Sequence, residues 1–77
     1  MRVTVEFTGL LDIKGVKSGG SVELDEGATV GALLERLGID ERHRKFITPL
    51  VNDRKARLSE VLSDGVRVYL LLPVGGG

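Results

Sequence analysis

The residue types with the most specific chemistry stand at the end of the sequence, where Val74 is followed by Gly75, Gly76 and Gly77. Glycine lacks a Cβ, so three in a row can lie extended in a slot too narrow for any side chain. The Gly77 carboxylate is then the one unhindered functional group this chain can deliver into another protein's active site. A carboxylate is a poor electrophile until one oxygen becomes a good leaving group, and adenylation by ATP achieves that. The acyl-adenylate is open to attack by a sulfur nucleophile, and the thiocarboxylate formed is a strong nucleophile on a flexible arm. Glycine makes up about 7% of average proteins, so a terminal triple glycine is improbable by chance. The competing reading is a frayed chain end. Pro73 fits both, because a proline stops a strand and turns the chain outward.

Other reactive constellations are missing. With no cysteine, disulfides, thiolate metal sites and a cysteine nucleophile are all excluded. His43 is the one histidine, and its neighbours Arg42 and Arg44 disfavour its protonation. A solvated loop residue is the simpler account of it. Asp25-Glu26 and Asp40-Glu41 lie beside turns, where capping and solubility explain paired carboxylates. Gly15 and Gly19-Gly20 make no phosphate loop, since neither a lysine nor a helix start follows at the needed spacing. Two basic clusters remain, Arg42/Arg44/Lys45 and Arg54/Lys55/Arg57. They read as solvated surface or, alternatively, as docking sites for an acidic partner. No interleaved aromatics support nucleic acid.

The elements that must position the tail are legible from hydrophobic spacing. Val3, Val5 and Phe7 alternate with polar residues, the period of a strand with one buried face. Gly9 ends it, and a long connection carries Leu11, Ile13 and Val16, which are expected to cover one end of the core. Ser21–Leu24 gives a second strand before a turn at Asp25-Glu26-Gly27. Thr29 is placed as a helix N-cap. Val30, Leu33, Leu34 and Leu37 then form one apolar stripe, and Gly38 supplies a left-handed stop. Gly31 and Ala32 are small enough for close approach to a sheet. Residues 40–45 make a loop or one helical turn.

Ile47–Asn52 reads as a third strand, with Pro49 suggesting an irregular start or an edge position. Asn52-Asp53 marks a turn, and a short edge strand fits within Arg54–Arg57. Leu58, Val61 and Leu62 have the spacing of a single helical turn closing the core. Asp64-Gly65 is a strong turn signal, and Val66–Leu72 is the most strand-like stretch. If Val66, Val68 and Leu70 point inward, Tyr69 and Leu71 point out. By the same alternation Ile47, Pro49 and Val51 face in, leaving Thr48 and Leu50 outward. Leu50, Tyr69 and Leu71, with Pro73 and Val74 beside them, are therefore expected to form an apolar docking face next to the tail.

The chain has 77 residues, with 11 basic against 11 acidic. A domain of this size buries only about 60–65% of its unfolded surface, which leaves little material for an enclosed active-site cavity. Neither charge nor a terminal apolar block suggests nucleic acid, an anionic membrane or a secretory signal, and no run approaches the roughly 20 apolar residues of a membrane span. A soluble cytoplasmic protein is expected. The first and last strands are the most apolar, as central strands of a mixed sheet would be. The element order implies an α+β domain, residues 1–74, with residues 75–77 as a flexible tail. It resembles the β-grasp, or ubiquitin-like, roll: a mixed sheet of four to five strands with one main helix packed across it.

The sequence from Asp64-Gly65 through the apolar strand to Pro73-Val74 and the terminal glycines also resembles the C-terminal signature of the ThiS and MoaD sulfur carriers. Gly27-Ala28-Thr29-Val30 with Leu33-Leu34 is similar to the start of that family's helix, and Leu50-Val51-Asn52 to the segment before its turn. The resemblance implies that Gly77 bears first the adenylate and then the thiocarboxylate, with Gly75 and Gly76 threading the tail. It implies an adenylating partner related to the ubiquitin-activating enzymes, which binds the ATP and magnesium; this chain holds no cofactor itself. It further implies a sulfur-accepting partner, either the large subunit of molybdopterin synthase or a thiazole synthase. The long first connection looks more like MoaD. Leu72 replaces the first of two prolines frequent in MoaD, while a third glycine is commoner in ThiS-like tails.

Three functions therefore stand beside one another. The first is a sulfur carrier for molybdopterin or thiamin thiazole synthesis, acting as co-substrate rather than enzyme. The second is a protein modifier that forms isopeptide bonds through Gly77. The third is a ubiquitin-like interaction module with an inert tail.

Overall fold

Hydrophobic alternation along the first and last strands dictates the centre of the sheet. A computed structural model describes residues 1–7, 19–39 and 41–71. Leu11, Ile13, Val16, Asp40 and everything from Leu72 through the terminal glycines lie outside the described residues, as does the side chain of His43. Five strands are present: β1 (Arg2–Phe7), β2 (Gly20–Glu23), β3 (Thr48–Val51), β4 (Arg54–Lys55) and β5 (Arg67–Leu71). They form one sheet in the order β2-β1-β5-β3-β4. β1 and β5 are parallel, and the other pairings are antiparallel. Central strands lose solvent on both sides, so the two most apolar segments occupy these positions. This is the expected α+β, ubiquitin-like roll, with β4 a two-residue edge.

Helix α1 (Val30–Arg36) begins where Thr29 caps it, its Oγ1 accepting from Ala32 N–H at 3.1 Å. Seven residues are too few for a stable isolated helix, so packing must hold it. Val30, Leu33 and Leu34 are fully buried and join Val3, Val5, Val68 and Leu70 in one core. At the other end Gly38 takes φ +76°. Its N–H donates to Glu35 O, while Ile39 N–H donates to Leu34 O. This is the Schellman arrangement, which satisfies carbonyls the last turn leaves open. It also carries Ile39 into the core. A second one-turn helix, α2 (Glu41–Arg44), follows.

Three local expectations are corrected. Residues 58–62 do not make a helical turn. Leu58 and Ser59 form a turn, and Val61 then bridges Thr29 in antiparallel fashion. The cause lies at the start of α1, whose first N–H groups need acceptors. Val30 donates to Glu60 O at 3.0 Å and Gly31 to Leu58 O at 2.9 Å, acceptors that the turn at Leu58-Ser59 and the residue after it present. For the same reason Gly31 approaches this segment and not the sheet: a Cβ there would sit 3.3 Å from Leu58 O. Ala32 faces solvent. Pro49, finally, lies neither at an edge nor at a strand start, since β3 runs between β5 and β4. Ala56 N–H donates to Pro49 O. Residues in an antiparallel ladder point both backbone groups the same way, so the proline nitrogen faces the side where β4 ends.

Candidate functional site

The tail leaves from β5, so the features that fix β5 determine where the tail is presented. Gly65, at φ +86°, completes the Asp64-Gly65 turn, in which Val66 N–H donates to Ser63 O. The turn is tied to the start of β1. Arg2 N–H donates to Asp64 Oδ1 at 2.7 Å, Gly65 N–H to Arg2 O at 2.8 Å and Thr4 N–H to Val66 O at 3.0 Å. These bonds hold the parallel register of Thr4 with Arg67 through Phe7 with Leu70. Val68 and Leu70 then insert into the core with no exposed surface. A residue-by-residue register fixed at one end and two buried anchors along its length leave the end of β5 one position.

The opposite face of β5 carries the residues expected to dock a partner. Tyr69 stands directly across from Leu50, and Leu71 across from Thr48. Leu50 and Tyr69 are half-buried, and Leu71 keeps 40% of its surface exposed. The alternation expected along both strands is therefore present, and the three apolar side chains share one face at the tail end of β5. Pro73 and Val74, expected beside them, lie outside the described residues. The strip is bounded at the other end by charge. Arg67 contacts Glu6 Oε1 at 3.3 Å and the Asp53 carboxylate at 2.9 and 3.0 Å, while Asn52 Oδ1 accepts from its backbone N–H. Such exposed pairs contribute little stability. Their effect here is to turn a flexible cation away from the apolar strip and onto the Asn52-Asp53 turn. That turn has φ of 49° and 70° at its two central residues, the two-residue hairpin geometry that Asn and Asp tolerate best.

Elsewhere the structure offers little for chemistry. The start of α1 has its first N–H groups taken by Glu60 O, Leu58 O and Thr29 Oγ1, so none is left for an anion. Among the described residues no three His, Asp or Glu groups converge as metal ligands. No described helix is long and apolar enough to cross a membrane. One recess, about 600 Å³, lies between the end of β2 and α1 and is lined by Glu23, Asp25 and Glu35 among others. Nothing in the spacing of Arg44/Lys45 and Lys55/Arg57 indicates that they meet, yet they line one groove beside β3. Their meeting depends on the β3–β4 hairpin, which folds the second cluster back along the strand that follows the first.

The model of the ThiS family matches residues 7–77, which includes the strand, the apolar face and the whole tail. The chain belongs to the ThiS family. Solved structures of similar fold agree with this. SAMP1 from Haloferax volcanii is 26% identical with a TM-score of 0.77, each chain covered in full. A putative molybdopterin converting factor subunit 1 from Pyrococcus furiosus is 30% identical over 95% of this chain and 98% of its own, with a TM-score of 0.72. A complex of subunits 1 and 2 of the molybdopterin-converting factor from Helicobacter pylori matches with 27% identity and a TM-score of 0.64, over the full length of both chains. No curated protein sequence matches. Membership in the ThiS family thus joins the ubiquitin-like fold to a sequence that carries its glycine tail, and the likeness to MoaD-type subunits spans nearly all of it.

Proposed function

We propose that this ThiS-family protein is a sulfur carrier whose C-terminal carboxylate is activated and converted to a thiocarboxylate. The observation that carries this reading is that the family match runs through Gly77, so the tail belongs to what the family holds in common. In the reaction a Gly77 carboxylate oxygen attacks the α-phosphorus of ATP in a partner's site and pyrophosphate leaves. Hydrosulfide then attacks the carbonyl carbon of the acyl-adenylate. AMP departs with the bonding pair, and a proton is lost to solvent. Gly75 and Gly76 thread the arm through the partner, while Leu50, Tyr69 and Leu71, continued by Pro73 and Val74, form the docking face. The domain spans residues 1–74 and the arm residues 75–77.

The likeness to a subunit 1 found in complex with its subunit 2 supports a second partner, the large subunit of a molybdopterin synthase. A thiazole synthase is the counterpart if the sulfur goes to thiamin. The ATP and magnesium belong to the adenylating partner, and this chain acts as co-substrate in the cytoplasm. The test is ATP–pyrophosphate exchange with a purified adenylating enzyme. Exchange that depends on this chain and disappears when Gly77 is deleted is the expected result. Exchange that is unaffected by the deletion overturns the reading.

The likeness to a small archaeal modifier favours a second reading, in which Gly77 is joined to lysines of other proteins. Both begin with the same adenylate, and they part at the acceptor. Conjugates of higher mass in cell extract, lost on deletion of Gly77, mark the modifier.

A further inference from the structure

Two basic clusters that are separate in sequence meet in the fold. Arg44, Lys45, Lys55 and Arg57 all line a shallow groove of about 350 Å³. Its apolar lining comes from Ile47, Pro49, Ala56 and Leu58, the last of these 44% exposed. Among the described residues no carboxylate lines it. Arg44 Nε donates to Ile39 O at 3.2 Å, and Lys45 Nζ rests 5.3 Å from the Phe46 ring. Lys55 and Arg57 are exposed and have no ion pair among the described residues. The formal charge of the whole chain is zero, so this concentration is balanced elsewhere. Near the β2 edge the carboxylates are partly met, Glu23 by Arg2 at 2.7 Å and by the N-terminal ammonium at 4.0 Å, whereas the groove cations beside β4 have no ion pair among the described residues.

We propose that this groove docks an acidic segment of a protein partner, with an apolar side chain between its carboxylates. The four cations meet carboxylates spaced along an extended chain, while the aliphatic lining takes the apolar residue. Among the described residues no aromatic side chain lines the groove, so these residues offer a nucleic acid no stacking platform. Thr48 lines it and also pairs with Leu71, which makes the groove continuous with the end of β5. A partner that covers the apolar strip beside the tail thus reaches the groove as well. The pairing of charges steers approach and fixes register, a task separate from the chemistry of Gly77.

The test is an amide-resolved NMR titration of the full chain with a synthetic peptide alternating Glu, Asp and Leu. Shifts confined to residues 44–58 are expected, with affinity falling as salt is raised. Lys55→Glu/Arg57→Glu is expected to weaken binding by at least about tenfold, and Lys55→Gln/Arg57→Gln by less. The charge-matched control Arg2→Glu/Arg36→Glu should leave it unchanged. Deleting Gly76 and Gly77 should also leave it unchanged, which keeps this result distinct from failure of the carrier reading. Shifts scattered over all basic residues, equal loss in the control, or tighter binding of an oligothymidylate of the same charge would overturn the proposal.

Discussion

At the scale of single residues, Gly76 and Leu71 carry different parts of the function. Gly76 must pass where a side chain cannot, so Gly76→Ala is expected to lower kcat/KM for adenylation on the order of a hundredfold, as small misplacements at a reacting centre do. Its unfolding curve should not move. Leu71 is 40% exposed on the face it shares with Tyr69 and Leu50. Leu71→Asp is expected to raise KM for the adenylating partner with little effect on kcat, because it touches docking and not the reacting carbon. A fall in kcat at unchanged KM would assign Leu71 another role. The sides taken by Leu50, Tyr69 and Leu71 follow from alternation alone, since successive strand residues must face opposite ways. Ile39 was not legible in this manner. It is buried by the turn after Gly38, and a turn has no period from which to read a face.

At the scale of elements, the start of α1 shows a local pattern yielding to a remote demand. Leu58, Val61 and Leu62 are spaced like one helical turn, but only Leu62 is buried, and Val61 is 60% exposed. Three N–H groups at the start of α1 require acceptors, and the turn at Leu58-Ser59 with Glu60 after it supplies two of them. Helical spacing in five residues is weak information beside an unsatisfied backbone donor. Thr29→Ala removes the third acceptor and is expected to cost about 1 kcal/mol, measured by urea unfolding. Gly31→Val forces a branched side chain against Leu58 O, where even a Cβ would lie at 3.3 Å. It is expected to cost about 1–3 kcal/mol. If the two variants were equally mild, the 58–62 segment would have to be far more yielding than its hydrogen bonds indicate. The cap, the apolar stripe and the stop of α1 were all legible, because each depends only on its own neighbours in sequence.

At the scale of the whole molecule, a mixed sheet with β1 and β5 at its centre is what the two most apolar strands demand, and the element order led to it. The convergence of the basic clusters was not legible, because it depends on the tightness of the hairpin at Asn52-Asp53. The same sheet sets Leu71, the last residue of β5, across from Thr48, which lines the basic groove. Stability rests on the shared core, so Leu34→Ala is expected to cost about 3 kcal/mol while leaving tail activation intact in the folded fraction. The measurement that tests the central claim most directly is the intact mass of the chain after incubation with an adenylating partner, ATP and sulfide. The carrier account requires a gain equal to exchange of one oxygen for sulfur, absent when Gly77 is deleted. An unchanged mass with a partner that demonstrably adenylates the chain would contradict it.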